Sequence, residues 1–381
     1  MSTTFGILLV TGGQTHQETY AAAFAADKRC RLIALTDEAT VDKRRRGLNE
    51  RLAKTLGIPY VADLEEALKR KDVDVISVCA PPERRGRIIV RCARAGKPLY
   101  LDKSLCPAIT EADEIVAAIA RAKVKSHMFS FISQPWARRA KELVEKKAIG
   151  ELRAIHADTL FAKGRPGSAK LGSRRKEEFP PRRHQLVEAK RELDNTGVYP
   201  ITLIRWLTGR RFQSVYAVTA NYFFAEHQKH NVEDFGLVAA TLEGGLPVSI
   251  AAGRFGWQTH PAFGANRLVL VGSEGTLVVD AHKPRLEVYS DEAPWTPPAV
   301  HPEDPMAFWD STQQEVHTRP KRVWVPLTPT QTDASYFIDR LVAGRDSEIP
   351  AAEAAHATEV LVAAYRSASR GEVVKLPLPR K

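Results

Sequence analysis

Short apolar runs alternate with longer amphipathic stretches through the first third of the chain. Residues 5–10, 31–36, 75–79, 99–101 and 125–129 are nearly continuous in apolar character, as strands buried on both faces should be. Between them, 14–26, 41–56, 64–70, 84–95 and 111–122 carry apolar residues at helical spacing. Thr110 with Asp113 three residues later predicts a capping box opening the last of these helices. Repeated strand–helix units predict a parallel sheet covered by helices on both faces. That is a doubly wound, Rossmann-type dinucleotide-binding domain, placed here at residues 1–125.

The pattern changes after a linking helix at 136–146. Strands are expected at 152–160, 214–224, 235–242, 248–254, 267–271, 276–279 and 286–289, with turn signals at Glu243-Gly244-Gly245 and Ser273-Glu274-Gly275. One helix near 199–207 interrupts them, and helical spacing returns at 331–343 and 351–369. Residues 126–381 therefore read as an α+β domain with a large, mostly antiparallel sheet. The segments 163–191 and 293–320, rich in proline or charge, are expected to be long loops.

Composition narrows the class. With 381 residues, 44% hydrophobic and 27% charged, the chain suits two packed domains rather than a disordered polymer. It contains no uncharged apolar run of roughly 18 residues, so no membrane span is expected, and its first residues lack a signal-peptide layout. Cys30, Cys79, Cys92 and Cys106 show no metal-type spacing, which favours free thiols in a reducing cytoplasm. The net charge of +11 is concentrated: residues 163–191 hold ten Lys or Arg against three Glu. A local excess without a nucleic-acid motif points to an anionic small molecule, a partner or solvent, and not to nucleic acid.

Candidate chemistry lies at the ends of the predicted parallel strands. The first strand runs into Gly12, Gly13, Gln14 and Thr15, a turn whose free N–H groups can face an anion, although the full G-x-G-x-x-G spacing is not intact. Asp37 ends the second strand, where a carboxylate can accept ribose hydroxyls and favour NAD. Lys43, Arg44, Arg45 and Arg46 read first as a solvated helix face; their charges also suit a 2′-phosphate, which keeps NADP open. Ala80 and Pro81 end the fourth strand and border the same crevice. Lys103 follows the fifth, where a cation can stabilise an alkoxide during hydride transfer.

Five segments in order make the chain resemble the Gfo/Idh/MocA family of NAD(P)-dependent oxidoreductases over nearly its full length. Residues 96–104 match "A-G-K-x-V-x-x-E-K-P" with Asp102 for Glu and Ser104 for Pro. Residues 193–200 match "L-x-D-x-G-x-H/Y-P", and 231–235, 271–277 and 364–368 fit the family's C-terminal pattern. The resemblance implies that Lys103 hydrogen-bonds the reacting oxygen and that Tyr199 exchanges its proton, with Lys103 lowering the phenol pKa. Asn195 stands at the family's aspartate position, with Asp194 displaced by one, so an orienting amide replaces a proton acceptor. His184, Trp257 and His260 are further candidates to contact substrate; Arg85, at a position often His, is a candidate helix cap. The implied substrate is a carbohydrate-like alcohol, anionic if the basic segment faces it, and the implied assembly a homodimer or homotetramer through the C-terminal sheet. Two rival readings remain: redox-neutral elimination on a sugar through NAD, and a catalytically weak NAD(P)-binding sensor.

Overall fold

The computed structural model describes residues 4–161, 191–254, 264–280, 285–290, 323–324 and 331–380. Strands β1 (Phe5–Val10), β2 (Cys30–Thr36), β3 (Tyr60–Val61), β4 (Val75–Val78), β5 (Leu99–Leu101) and β6 (Ser126–Met128) form a parallel sheet in the order β3-β2-β1-β4-β5-β6. Strand alternation sends Ile7 and Leu9 to one face and Leu8 and Val10 to the other. Helices α1 (Gln17–Ala26) and α2 (Lys43–Leu56) cover the first face with Phe24 and Leu52. Beyond the short α3 (Leu64–Leu68), α4 (Pro82–Arg94) and α5 (Ile109–Ala122) cover the second with Ile88, Ile89 and Ile115. The order reverses between β1 and β4, so a crevice opens at their carboxyl ends.

The helix ends show the local chemistry. Asp42 caps α2 by accepting from Arg45 N at 2.8 Å, and Gly57 closes it at φ 67°. The capping box expected at Thr110 does not form. Helix α5 starts two residues earlier, at Ile109 with Ala108 at the cap, which puts Thr110 inside the first turn; Asp113 pairs instead with Arg380 at 2.9 Å.

Helix α6 (Pro135–Glu145) leads into a second sheet. Its strands are β7 (Leu152–Phe161), β8 (Phe212–Ala220), β9 (Phe235–Leu242), β10 (Leu246–Arg254), β11 (Gly264–Gly272), β12 (Gly275–Asp280), β13 (Arg285–Ser290), β14 (Val323–Trp324) and β15 (Val374–Lys375), in the order β14-β13-β12-β11-β7-β10-β9-β8-β15. Among the described residues only β7 and β10 pair in parallel. Helix α7 (Glu192–Thr208) and the C-terminal helix (Ala351–Arg370) bury one face of this sheet through Val198, Ile201 and Leu361 against Val215, Val238 and Ile250. The other face leaves Tyr216 38% and Leu237 49% exposed. Strand β8 ends at Ala220, four residues short of the expected end, and a short helix, α8 (Ala225–Lys229), follows beyond it.

Two features depart from a simple split of the chain. Helix α9 (Asp333–Val342) packs Ala334, Phe337 and Ile338 against Phe24 and Tyr100, completing the core on one face of the parallel sheet. Helix α7 begins at Glu192, seven residues before the expected start, because Gly197 and Pro200 weigh against a helix locally. Packing overrides them: a Cβ on Gly197 would stand 3.1 Å from Leu193 Cδ1 and 3.5 Å from Ala252 Cβ, so the small residue lets α7 lie on β10.

Candidate active site

The turn after β1 shows why glycine is needed there. Gly13 has φ 80°, and a Cβ on it would stand 2.6 Å from the Leu48 carbonyl oxygen; one on Gly12 would stand 2.3 Å from Leu52 Cδ2. Thr11 and Gln14 also take left-handed backbone, at φ 63° and 59°. The turn presents the N–H groups of Gln14 and Thr15 ahead of α1, and both donate to the Glu18 carboxylate, at 2.6 Å and 3.3 Å. An internal carboxylate thus occupies donors of the kind a pyrophosphate uses, so the turn fits an anionic group.

Asp37 is fully buried, and its carboxylate already has protein partners. It accepts from Arg84 at 2.7 and 3.2 Å, from Asn49 Nδ2 at 2.9 Å and from Glu38 N at 2.8 Å. Asn49 Oδ1 also accepts from Gly12 N at 3.0 Å, which ties Asp37 to the glycine turn. The basic run at 43–46 is not a uniformly solvated face. Arg45 is buried and donates to the carbonyl oxygens of Gly12 and Gly13 at 2.9 and 2.7 Å, because the turn lies directly against α2.

The carboxyl ends of β4 and β5 are tied together by Arg85. This side chain does not act as a helix cap: it donates to Ala80 O at 2.7 Å, to Asp102 Oδ2 at 2.7 Å and to Ser104 O. Asp102 also accepts from Tyr20 OH at 2.7 Å and meets His16 Nδ1 at 2.9 Å. Burial alone would raise its pKa, but Arg85 and His16 together hold it well below the usual carboxylate range. Asp102 is therefore a fixed negative charge immediately before Lys103. Pro81 opens α4 beside Ala80, at the N-cap.

Lys103 is 5% exposed and projects to α7, where Nζ donates to Asn195 Oδ1 at 2.6 Å and to the Asn195 carbonyl oxygen. Asn195 and Tyr199 are four residues apart on α7, so they share its face. Lys103 Nζ lies 4.8 Å from the Tyr199 ring centroid, and that ring stacks on Phe131 at 4.6 Å. The expected lowering of the phenol pKa is not found. Burial first, then the charges of Asp102 and Asp333, push it up, since desolvation disfavours a phenolate more than a cation over the ring face can favour it. Ser104 Oγ donates to Asp194 Oδ2 at 2.8 Å, and burial raises the Asp194 carboxyl against the pull of Ser104 and Lys103.

The structure thus brings Lys103, Asn195 and Tyr199 together, and sets Gly12, Gly13, Gln14, Thr15, Asp37, Ala80 and Pro81 at the ends of the parallel strands. His184, Trp257 and His260 lie outside the described residues. Sequence reading passed over Glu18, Arg84 and Glu192. Glu192 had a legible signal, since it sits three residues before Asn195, but only once the helix is extended back to include both. Among the described residues no three His, Cys, Asp or Glu side chains come together as a metal site.

Comparison with known proteins agrees with this architecture. Residues 5–130 match the model for an oxidoreductase family with an NAD-binding Rossmann fold, and residues 137–278 match the GFO/IDH/MocA C-terminal domain. The chain is 25% identical to a dTDP-3,4-didehydro-2,6-dideoxy-alpha-D-glucose 3-reductase of Streptomyces violaceoruber, across 72% of this chain and 79% of that protein. It is 23% identical to a myo-inositol 2-dehydrogenase of Thermotoga maritima, across 60% and 63%. A levoglucosan dehydrogenase solved with NADH and levoglucosan shares the fold with a TM-score of 0.74 at 17% identity, over 98% of this chain and 100% of that one. With its parallel sheet, its glycine turn and both family models matched in order, the chain belongs to the Gfo/Idh/MocA family of NAD-binding oxidoreductases.

Proposed function

We propose that this protein moves a hydride between NAD and a carbinol carbon of a sugar, cyclitol or sugar derivative. The observation that carries the reading is the convergence of Lys103 Nζ, the Asn195 amide and the Tyr199 ring beyond the carboxyl end of β5. The turn at 12–15 is assigned to the pyrophosphate and Asp37, with Arg84, to the adenosine ribose. Bound NAD supplies the hydride acceptor for an alcohol, and NADH the donor for a ketone. Lys103 then stabilises negative charge on the substrate oxygen, where a fixed donor in a buried site is most effective. Tyr199 supplies the proton. Its phenol is held neutral by burial, so near neutral pH it is ready to donate to an oxygen gaining charge, which favours reduction. The reverse reaction needs the phenolate and should quicken as pH rises.

The test is turnover of a sugar and cyclitol panel with NADH binding measured separately. Lys103→Met should lower the rate about 100-fold or more. Tyr199→Phe should lower it about 100- to 10,000-fold. NADH affinity should hardly change in either variant, and the double variant should be little worse than the slower single, because groups acting as a unit fail together. Wild-type turnover in both single variants would overturn the assignment and move the sensor reading to the front.

The exposed face of the C-terminal sheet supports a homodimer or homotetramer, because Tyr216 and Leu237 lie on it with no helix above them among the described residues. The four free thiols, three of them buried, suit a reducing cytoplasm. No helix among the described residues is long and apolar enough to cross a membrane.

A further inference from the structure

Asn195 lies between two groups that leave its side chain one acceptable orientation. Lys103 Nζ can only donate, so it must meet the amide oxygen, and it does so at 2.6 Å. The amide nitrogen then needs an acceptor, and Glu192 Oε2 stands 2.9 Å from Nδ2. Glu192 is 2% exposed, and its other oxygen faces Arg254 Nε at 3.2 Å and His227 Nε2 at 3.8 Å. Burial alone would raise the Glu192 pKa, yet His227, Arg254 and Asn195 together keep it below its ordinary value. An ionised carboxylate accepts and cannot donate, so a turned amide would face its NH₂ to an ammonium and its oxygen to a carboxylate.

We propose that Glu192 is a positioning residue for the reaction: it locks the Asn195 amide so that its oxygen holds the Lys103 ammonium in place. The inference rests on the reading of Lys103 as the group on the reacting oxygen. It also suits an Asn at 195, where the family pattern that the chain resembles has Asp. A carboxylate at 195 would need no locking but would abut Glu192, whereas an amide with a carboxylate behind it keeps one negative charge in the cluster and moves it three residues back along α7.

The decisive experiment exchanges the two chemistries. Glu192→Gln lets Asn195 turn, and should lower kcat about 10-fold or more while leaving NADH affinity unchanged, as small misplacements of a reacting group do. Asn195→Asp sets two carboxylates against each other and should also slow turnover. The double variant Glu192→Gln with Asn195→Asp restores one donor and one acceptor with their order reversed, and should recover most of the loss. Turnover is followed as NAD reduction by myo-inositol or levoglucosan. A substrate-free readout uses the five asparagines of the chain: with ¹⁵N-asparagine labelling, one Asn195 side-chain proton should exchange slowly in the wild type and lose that protection in Glu192→Gln. Unchanged protection in Glu192→Gln, or a double variant as slow as the two single losses multiplied, overturns the inference even if the protein folds normally. Lys103→Met, run in parallel, separates the two levels. If it keeps wild-type turnover, the site reading has failed; if it loses turnover while Glu192→Gln does not, only the positioning role has failed.

Discussion

Glu18 holds the two backbone N–H groups that the proposed function assigns to a pyrophosphate, and its spacing from Thr15 is that of a capping box. The contact satisfies two backbone donors of the turn that leads into α1, and it places a negative charge where the proposed cofactor site lies. A bound pyrophosphate has to displace this carboxylate or share donors with it. Glu18→Gln removes the charge and keeps the length, so NADH should bind about 2- to 5-fold more tightly, the worth of one charge at a helix terminus. Fluorescence titration of NADH reads this directly, and weaker binding by the variant would show that Glu18 helps the turn more than it obstructs the ligand. The Tyr199 phenol carries the same lesson: its neighbours were legible, but the direction of its pKa shift depended on burial.

At the scale of elements, Asp333 at the start of α9 fastens the end of the chain to the parallel sheet. Its carboxylate accepts from Tyr100 OH at 2.9 Å and Ser133 Oγ at 3.1 Å, and meets His127 Nε2 at 2.7 Å; His127 Nδ1 in turn meets Ser347 Oγ at 2.6 Å. Tyr100 is on β5 and His127 on β6, so one buried carboxylate joins two strands to α9 and to the segment that follows it. Asp333→Ala would leave these buried groups without their acceptor, at about 1–3 kcal/mol for each that stays unsatisfied. Urea unfolding should show a loss of that order, and a smaller one for Asp333→Asn, which keeps an acceptor. A loss near zero in Asp333→Ala would mean that water or a rearranged side chain replaces the carboxylate.

At the scale of the whole molecule, clustered arginines make the fold sensitive to acid. Burial alone would raise the pKa of Glu38, but Arg87 and Arg84 hold it at about 2; Glu359, paired with His356 and Arg380, is likewise held at about 2. Each is lower in the fold than the roughly 4.3 of an unfolded chain. Their contribution is therefore fully present above that unfolded value, and is lost as pH falls through the folded value. Thermal melts between about pH 5 and 2 should show a steady fall in Tm that is shallower in Glu38→Gln, the variant being less stable at neutral pH; parallel curves would refute this assignment. For assembly, light scattering should give a multiple of the 42.3 kDa chain mass, and Leu237→Lys on the exposed sheet face should shift it towards the single chain. A single-chain mass for the unaltered protein across the micromolar range would remove the proposed oligomer.

Local pattern was sufficient wherever each residue's role depends on near neighbours. The unbroken apolar runs specified buried parallel strands, the strand runs punctuated by turn signals specified the mostly antiparallel second sheet, and the glycines at 12 and 13 marked the turn between β1 and α1. Lys103 and Tyr199 were legible because the resemblance placed them, and the i, i+4 spacing of Asn195 and Tyr199 became meaningful once both lay on α7. Tertiary structure decided the rest. Gly197 and Pro200 argue against a helix locally, and only contact with β10 keeps α7 helical through them. Arg45 and Arg84 look like surface charges in the sequence, and only the fold brings one onto the glycine carbonyls and the other onto Asp37. Periodicity reports which face of an element is buried; the partner of a buried charge is set by residues far away in the chain, and these meet only when the sheets and helices have packed.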